Sequence, residues 1–246
     1  MPQPPITTAF ELHDAEQIRA AFENGLSPNA DFNGKPLVYA LIQMYTRGPR
    51  FKACMQAFVD HGLQFDDPVL LAVLLDDASG LDVLLAARPD ALTRTYTFEA
   101  AFTPLLEVSL LHICAEYNHV ACAEVLVRHG ADVNARAGLD ENGFGGQTPI
   151  FHTVNQDANK SMDMLRFLFS VNADPGLTVK GLIWGKGHDW ETFIPDVTPL
   201  SYAMMGLLRQ FQRTEQDIYA VVSLLLKAKY GLDYQPANVP NRYLLG

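Results

Sequence analysis

What the sequence lacks narrows it first. No stretch of its 246 residues reaches the roughly 18 unbroken apolar positions that a membrane-spanning helix needs. The opening MPQPPITTAF has neither a basic region nor an apolar run, so no secretory leader is expected. Cysteine is scarce and odd in number, with Cys54, Cys114 and Cys122 forming no C-x-x-C pair. Each lies in an apolar helical run, where a reduced thiol acts as a small hydrophobe. A cytoplasmic location is therefore expected, rather than a disulfide framework. Basic residues are outnumbered, 18 Lys and Arg against 28 Asp and Glu, for a net charge of −10. Such a surface repels nucleic acid; it keeps a protein soluble and favours a basic partner. Glycine-rich pieces occur at 141–146 and 181–187, but neither ends in Gly-Lys-Ser/Thr ahead of a helix, as a phosphate loop must.

What is present is periodic. Hydrophobic residues make up 48% of the chain, ample for a core. The stretch Ser109 to Asn134 reads SLLHICAEYNHVACAEVLVRHGADVN. Small residues at Cys114 and Ala115 allow close backbone approach in a first short helix. In a second, Cys122, Val125 and Leu126 are spaced i, i+3, i+4 and form one apolar face. Gly130 supplies the left-handed residue that stops it. A helix pair this short cannot bury its own apolar surface, so it must stack on others.

The pattern recurs. Helix-ending columns fall at Gly25, Gly62, Arg88, Asn172 and Gly231 as well as Gly130. Start signatures fall at Lys35-Pro36, Asp67-Pro68, Thr148-Pro149 and Thr198-Pro199, most with Thr or Asp to cap the helix and Pro at its first position, where a missing amide costs nothing. The stretch resembles the ankyrin repeat, whose signature is T-P-L-H-x-A followed later by G-A-D-V-N. His112, Gly130, Asp132 and Asn134 match in register, and Leu110 stands where the family has proline. The resemblance implies an all-α, right-handed ankyrin-repeat solenoid of stacked antiparallel helix pairs with short β-hairpin finger loops. It implies one domain over 1–246, with repeats near 8–34, 35–66, 67–108, 109–146, 147–197 and 198–234 and a tail at 235–246. The connections are uneven: five residues from Gly62 to Asp67, but 26 from Asn172 to Thr198. The second finger is nearly absent and the last three are enlarged, and insertions in repeat proteins collect on one, often binding, face.

Catalysis finds little footing. Cys114 and His112 are two residues apart and diverge on a helix. The resemblance makes His112 a structural tie to the neighbouring repeat. His119, Cys122 and His129 fit no zinc spacing. The pairs Asp66-Asp67 and Asp76-Asp77 diverge too, and Asp67 has a capping role. No catalytic, metal or cofactor residue is assigned, and no enzyme activity is expected.

The fingers carry the binding candidates. The fifth holds both tryptophans, Trp184 and Trp190, beside His188, Asp189, Glu191 and Phe193. Large aromatics with charged neighbours make binding hot spots, though the tryptophans serve equally well to pack the hairpin. Tyr96, Phe98 and Glu99 in the third finger repeat the mix, as do Asp140, Glu141 and Phe144 in the fourth. Tyr117 and Asn118, at the end of an inner helix, are further candidates. The expected role is a monomeric, non-catalytic scaffold that binds another protein through its fingers and concave face. A sharper version is an immunity- or antitoxin-type inhibitor of a basic toxin or enzyme; an enzyme with a His/Cys site is the reading from another class. Neither nucleic acid nor membrane is expected as a partner.

Overall fold

The computed structural model describes residues 6–100, 105–187, 191–205 and 213–234. Helices come in successive pairs. The first is α1 (Ile6–Glu11) with α2 (Ala15–Glu23), and the second is α3 (Leu37–Ile42) with α4 (Phe51–Asp60). Next come α5 (Pro68–Leu74) with α6 (Ala78–Ala87), then α7 (Leu110–Tyr117) with α8 (Val120–Arg128). In the fifth pair a 3-10 turn at Pro149–Thr153 precedes α9 (Met162–Ser170), and α10 (Pro199–Met204) with α11 (Glu215–Tyr230) makes the sixth.

Local chemistry sets the ends. Asp67 accepts hydrogen bonds from the Val69 and Leu70 amides, both at 3.0 Å, and Pro68 opens α5. At α7, Ser109 and His112 bond reciprocally in place of the usual proline-led start. Gly231 stops α11 in a left-handed conformation, φ 69°. At its other end Thr214 and Asp217 form a capping box that brings Glu215 to Asp217 into the first turn.

Three antiparallel hairpins lie between pairs: β1 (Asp31–Phe32) with β2 (Lys35–Pro36), β3 (Thr95–Phe98) with β4 (Leu105–Ser109), and β5 (Val179–Trp184) with β6 (Thr192–Val197). The architecture is thus a helical repeat with small antiparallel sheets rather than a purely α stack. One expected helix is also different. After Thr148-Pro149 the chain forms 3-10 turns, and Ala158 and Asn159 adopt positive φ of 47° and 53°. The Thr153 hydroxyl donates to the Ile150 carbonyl at 2.8 Å, which diverts that carbonyl from α-helical bonding.

The core runs the length of the stack, from Phe10 and Ile18 through Phe58, Leu70, Ile113 and Leu165 to Val222 and Leu225. Asparagines stitch neighbouring turns. Asn29 accepts from the Gln64 amide at 2.7 Å, and Asn134 from the Asp174 amide at 2.8 Å. Other ties skip a neighbour. Tyr117, in the fourth pair, donates to the Ile42 carbonyl of the second at 2.6 Å and stacks on Phe51 at 4.1 Å. Arg47, in the link 43–50, reaches α7 as well, meeting Glu116 at 2.7 Å.

Candidate functional site

The three enlarged fingers form one hydrogen-bonded layer. β4 passes to the fourth finger through Gly138 N–H to Leu106 O at 2.8 Å. Within that finger Ala137 donates to Gln147 and Gly146 to Gly138, and Leu139 bridges Gly145. Gly145 N–H then donates to Gly181 O of β5 at 3.0 Å, which continues the layer into the fifth. Gly145 sits at φ 111°, where an added Cβ would meet the Gly138 carbonyl oxygen at 2.7 Å.

Side chains lock the same seam. The Phe144 and Phe193 rings lie 4.6 Å apart, with Lys180 Nζ 5.3 Å above Phe144. Lys186 binds Glu141 at 2.9 Å and lies 3.7 Å from Asp140. This pairing holds Glu141 below its usual pKa and raises that of Lys186. Partial burial would raise Asp140, but the Phe144 and Asn142 amides and Lys186 together bring it down. Gly181 is the hinge of this packing, since a Cβ there would lie 2.4 Å from Phe193. Gly181→Ala is therefore expected to cost about 1–3 kcal/mol by overpacking. Urea unfolding would measure it, and an unchanged midpoint would show that the Phe193 ring does not sit over Gly181.

Several candidates take structural positions. Phe98 and Tyr117 are buried, so neither offers a contact surface, contrary to expectation. Tyr117 is drawn in by its Ile42 bond and by Arg47, 4.8 Å over its ring, and burial lifts its pKa to about 12. Asn118 accepts from the Met164 amide at 3.0 Å and so caps the next repeat's helix. Tyr96 donates to Asp67 at 2.9 Å, and burial with that carboxylate raises its pKa. Glu99 pairs with Lys35 at 2.5 Å, which ties the third finger to the first across the missing second. Trp184 donates to the Tyr202 hydroxyl at 2.7 Å, the packing role allowed for it above. Glu191 accepts from the Gly187 amide at 2.7 Å. His188, Asp189 and Trp190 lie outside the described residues. Phe193 remains 49% exposed, and beside the fourth finger's turn Leu139 is 62% exposed. Sequence reasoning missed Leu139; its apolar side chain between Gly138 and Asp140 in a finger was the available signal.

A second cluster lies among the helices. Glu116 binds Arg47 Nε at 2.7 Å and His152 Nδ1 at 2.8 Å, so second, fourth and fifth pairs meet at one carboxylate. Burial opposes its charge, but Arg47 and His152 prevail and hold Glu116 down to about 2. His112 accepts from the Ser109 amide at Nδ1, so its Nε2–H donates to Gln147 O at 3.0 Å, tying the fourth helix pair to the chain that leads into the fifth. Burial, then the nearby His152, pushes His112 down to about 3. The three thiols are buried and their pKa values raised by burial, which leaves them poor nucleophiles. Among the described residues no group of His, Cys, Asp and Glu is placed to hold a metal, and no helix is long and apolar enough to cross a membrane.

Residues 108–137 match the family model for the ankyrin repeat. The chain is also 24% identical over 184 residues to the putative ankyrin repeat protein YahD of Escherichia coli strain K12. That similarity spans 70% of this chain and 81% of the relative. Residues 108–137 thus carry an ankyrin repeat, and such repeats are in general protein-interaction modules.

Proposed function

We propose that all six helix pairs are ankyrin repeats of a single domain and that the protein is a non-catalytic scaffold binding another protein through its third to fifth fingers. The observation that carries this reading is the hydrogen-bonded finger layer with Leu139 and Phe193 exposed on neighbouring fingers. A layer already ordered loses little conformational entropy on binding, so exposed apolar anchors on it convert efficiently into affinity. Around these anchors stand Glu141, Phe144 and Glu191, and His188, Asp189 and Trp190, though outside the described residues, complete the contact set by their chemistry. Lys186 and Lys35 neutralise part of the acidic rim, so apolar contact rather than charge leads.

The test is a pull-down from the native cell with the parent chain and with Phe193→Ala and Leu139→Ala, singly and together. Partner recovery should fall at least tenfold in the double variant while its circular dichroism stays that of the parent. A folded double variant that retains the partner in full would sink the reading.

A further inference from the structure

Two arginines are buried among the described residues, and the protein treats them differently. Arg47 meets a carboxylate at 2.7 Å, that of Glu116. Arg213 is 3% exposed and bonds two carbonyls, Val154 O from Nη1 at 3.1 Å and Met205 O from Nη2 at 2.7 Å. No described carboxylate forms an ion pair with it, and its Nε is buried without an acceptor. The Asp217 carboxylate acts on Arg213 only from beyond ion-pair distance. A buried charge without a counter-charge in contact is costly, and main-chain carbonyls compensate a guanidinium only in part.

The surroundings are polar and likewise incomplete. Asn155 follows the carbonyl that Arg213 holds, and neither end of its side-chain amide has a hydrogen-bond partner. It approaches the Tyr202 hydroxyl without reaching bonding geometry, and Tyr202 lies within electrostatic range of Arg213. Asn155 and Tyr202 are each half-buried as residues, so the cluster lies close beneath the surface, although the Asn155 amide atoms and Arg213 Nε are themselves covered.

We propose that Arg213 Nε, with the Asn155 amide and the Tyr202 hydroxyl, forms a site for an external carboxylate at the junction of the fifth and sixth helix pairs. A single guanidinium edge flanked by neutral donors suits a planar monoanion better than a doubly charged phosphate. The site lies apart from the proposed finger contacts and meets the fifth finger where Trp184 donates to Tyr202. Burial lowers the Arg213 pKa to about 10, which leaves it a cation at neutral pH with unmet demand for an anion.

The experiment compares the melting temperature of the full chain in sodium acetate, sodium phosphate and sodium chloride at pH 7 and equal ionic strength. Acetate should give a saturable rise of several degrees over chloride, and Arg213→Met should abolish it. Asn155→Asp places a carboxylate within the chain itself. That variant should melt above the parent in chloride and no longer respond to acetate. A parent that responds equally to acetate and chloride, a rise with phosphate alone, or a rise retained in Arg213→Met would each overturn the proposal, as would an Asn155→Asp chain that melts lower and still responds. Titration of a blocked Ala-Glu-Ala peptide then separates the sources. Saturation at least tenfold below acetate assigns the site to a partner's acidic side chain, and saturation at equal concentration to a free carboxylate.

Discussion

Glu116→Gln is expected to remove about 3–5 kcal/mol of stability, far more than a change at the exposed finger anchors. The carboxylate is 14% exposed and serves two partners at once, Arg47 and His152. Glutamine keeps the shape but leaves the Arg47 guanidinium, itself 7% exposed, without a counter-charge. The cost comes chiefly from that stranded cation, not from the lost bond. Replacing both members, as Arg47→Met with Glu116→Leu, should therefore recover most of the loss, because well-packed apolar pairs often match buried ion pairs. Urea unfolding of the four chains in a double-mutant cycle measures both effects. A Glu116→Gln chain within 1 kcal/mol of the parent would refute the assignment.

Acid should destabilise the protein before its carboxylates begin to titrate. Burial lowers His13 from 6.5 to about 4, with Arg47, Arg50 and Lys160 adding to the effect. It lowers His112 to about 3 and moves His119, whose Nδ1 is held 2.8 Å from the Val73 carbonyl, in the same direction. Each of these bases takes its proton more readily in the unfolded chain. Their contribution is thus intact above pH 6.5 and is lost as pH falls from 6.5 toward the folded values. One proton is worth about 1.4 kcal/mol per pH unit, so His13 and His112 together approach about 3 kcal/mol per unit, and His119 adds to this in the same direction. Near pH 5 the loss from those two is about 4 kcal/mol, a large part of the stability of many domains. Glu116 adds its share lower down, since a carboxylate held near 2 contributes fully above 4.5 and loses that contribution as pH falls toward 2. Unfolding free energies at pH 7, 6 and 5 test this, with His112→Gln expected to remove about half of the slope that His13 and His112 supply. Equal stability at pH 7 and pH 5 would contradict it.

Much of the fold was legible because repeats announce themselves locally. Caps such as Asp67 and Thr198, stops such as Gly130 and Gly231, and apolar spacing within α8 are all read over a few residues. The fifth repeat was less legible, since Thr148-Pro149 signals a helix while the competing Thr153 hydroxyl bond operates only one turn later. The candidate surface was half legible. Aromatics and acids in the fingers could be found, but not which of them would be spent inside the molecule. Lys35 is 64 residues from Glu99 and Lys186 is 45 from Glu141. Partners so distant are chosen by how fingers lie against each other. The same holds for Arg47, Glu116 and His152, which no local pattern links.

The bonds that leap from the second helix pair to the fourth bear on how the stack comes apart. A column of units that grip only their neighbours can be peeled from either end, one unit at a time. Here Tyr117 holds Ile42 and Glu116 holds Arg47, so the third pair is clasped between two that are fastened to each other. Pulled from its N-terminus, the chain should release its first pair alone and then yield the next three in a single rupture.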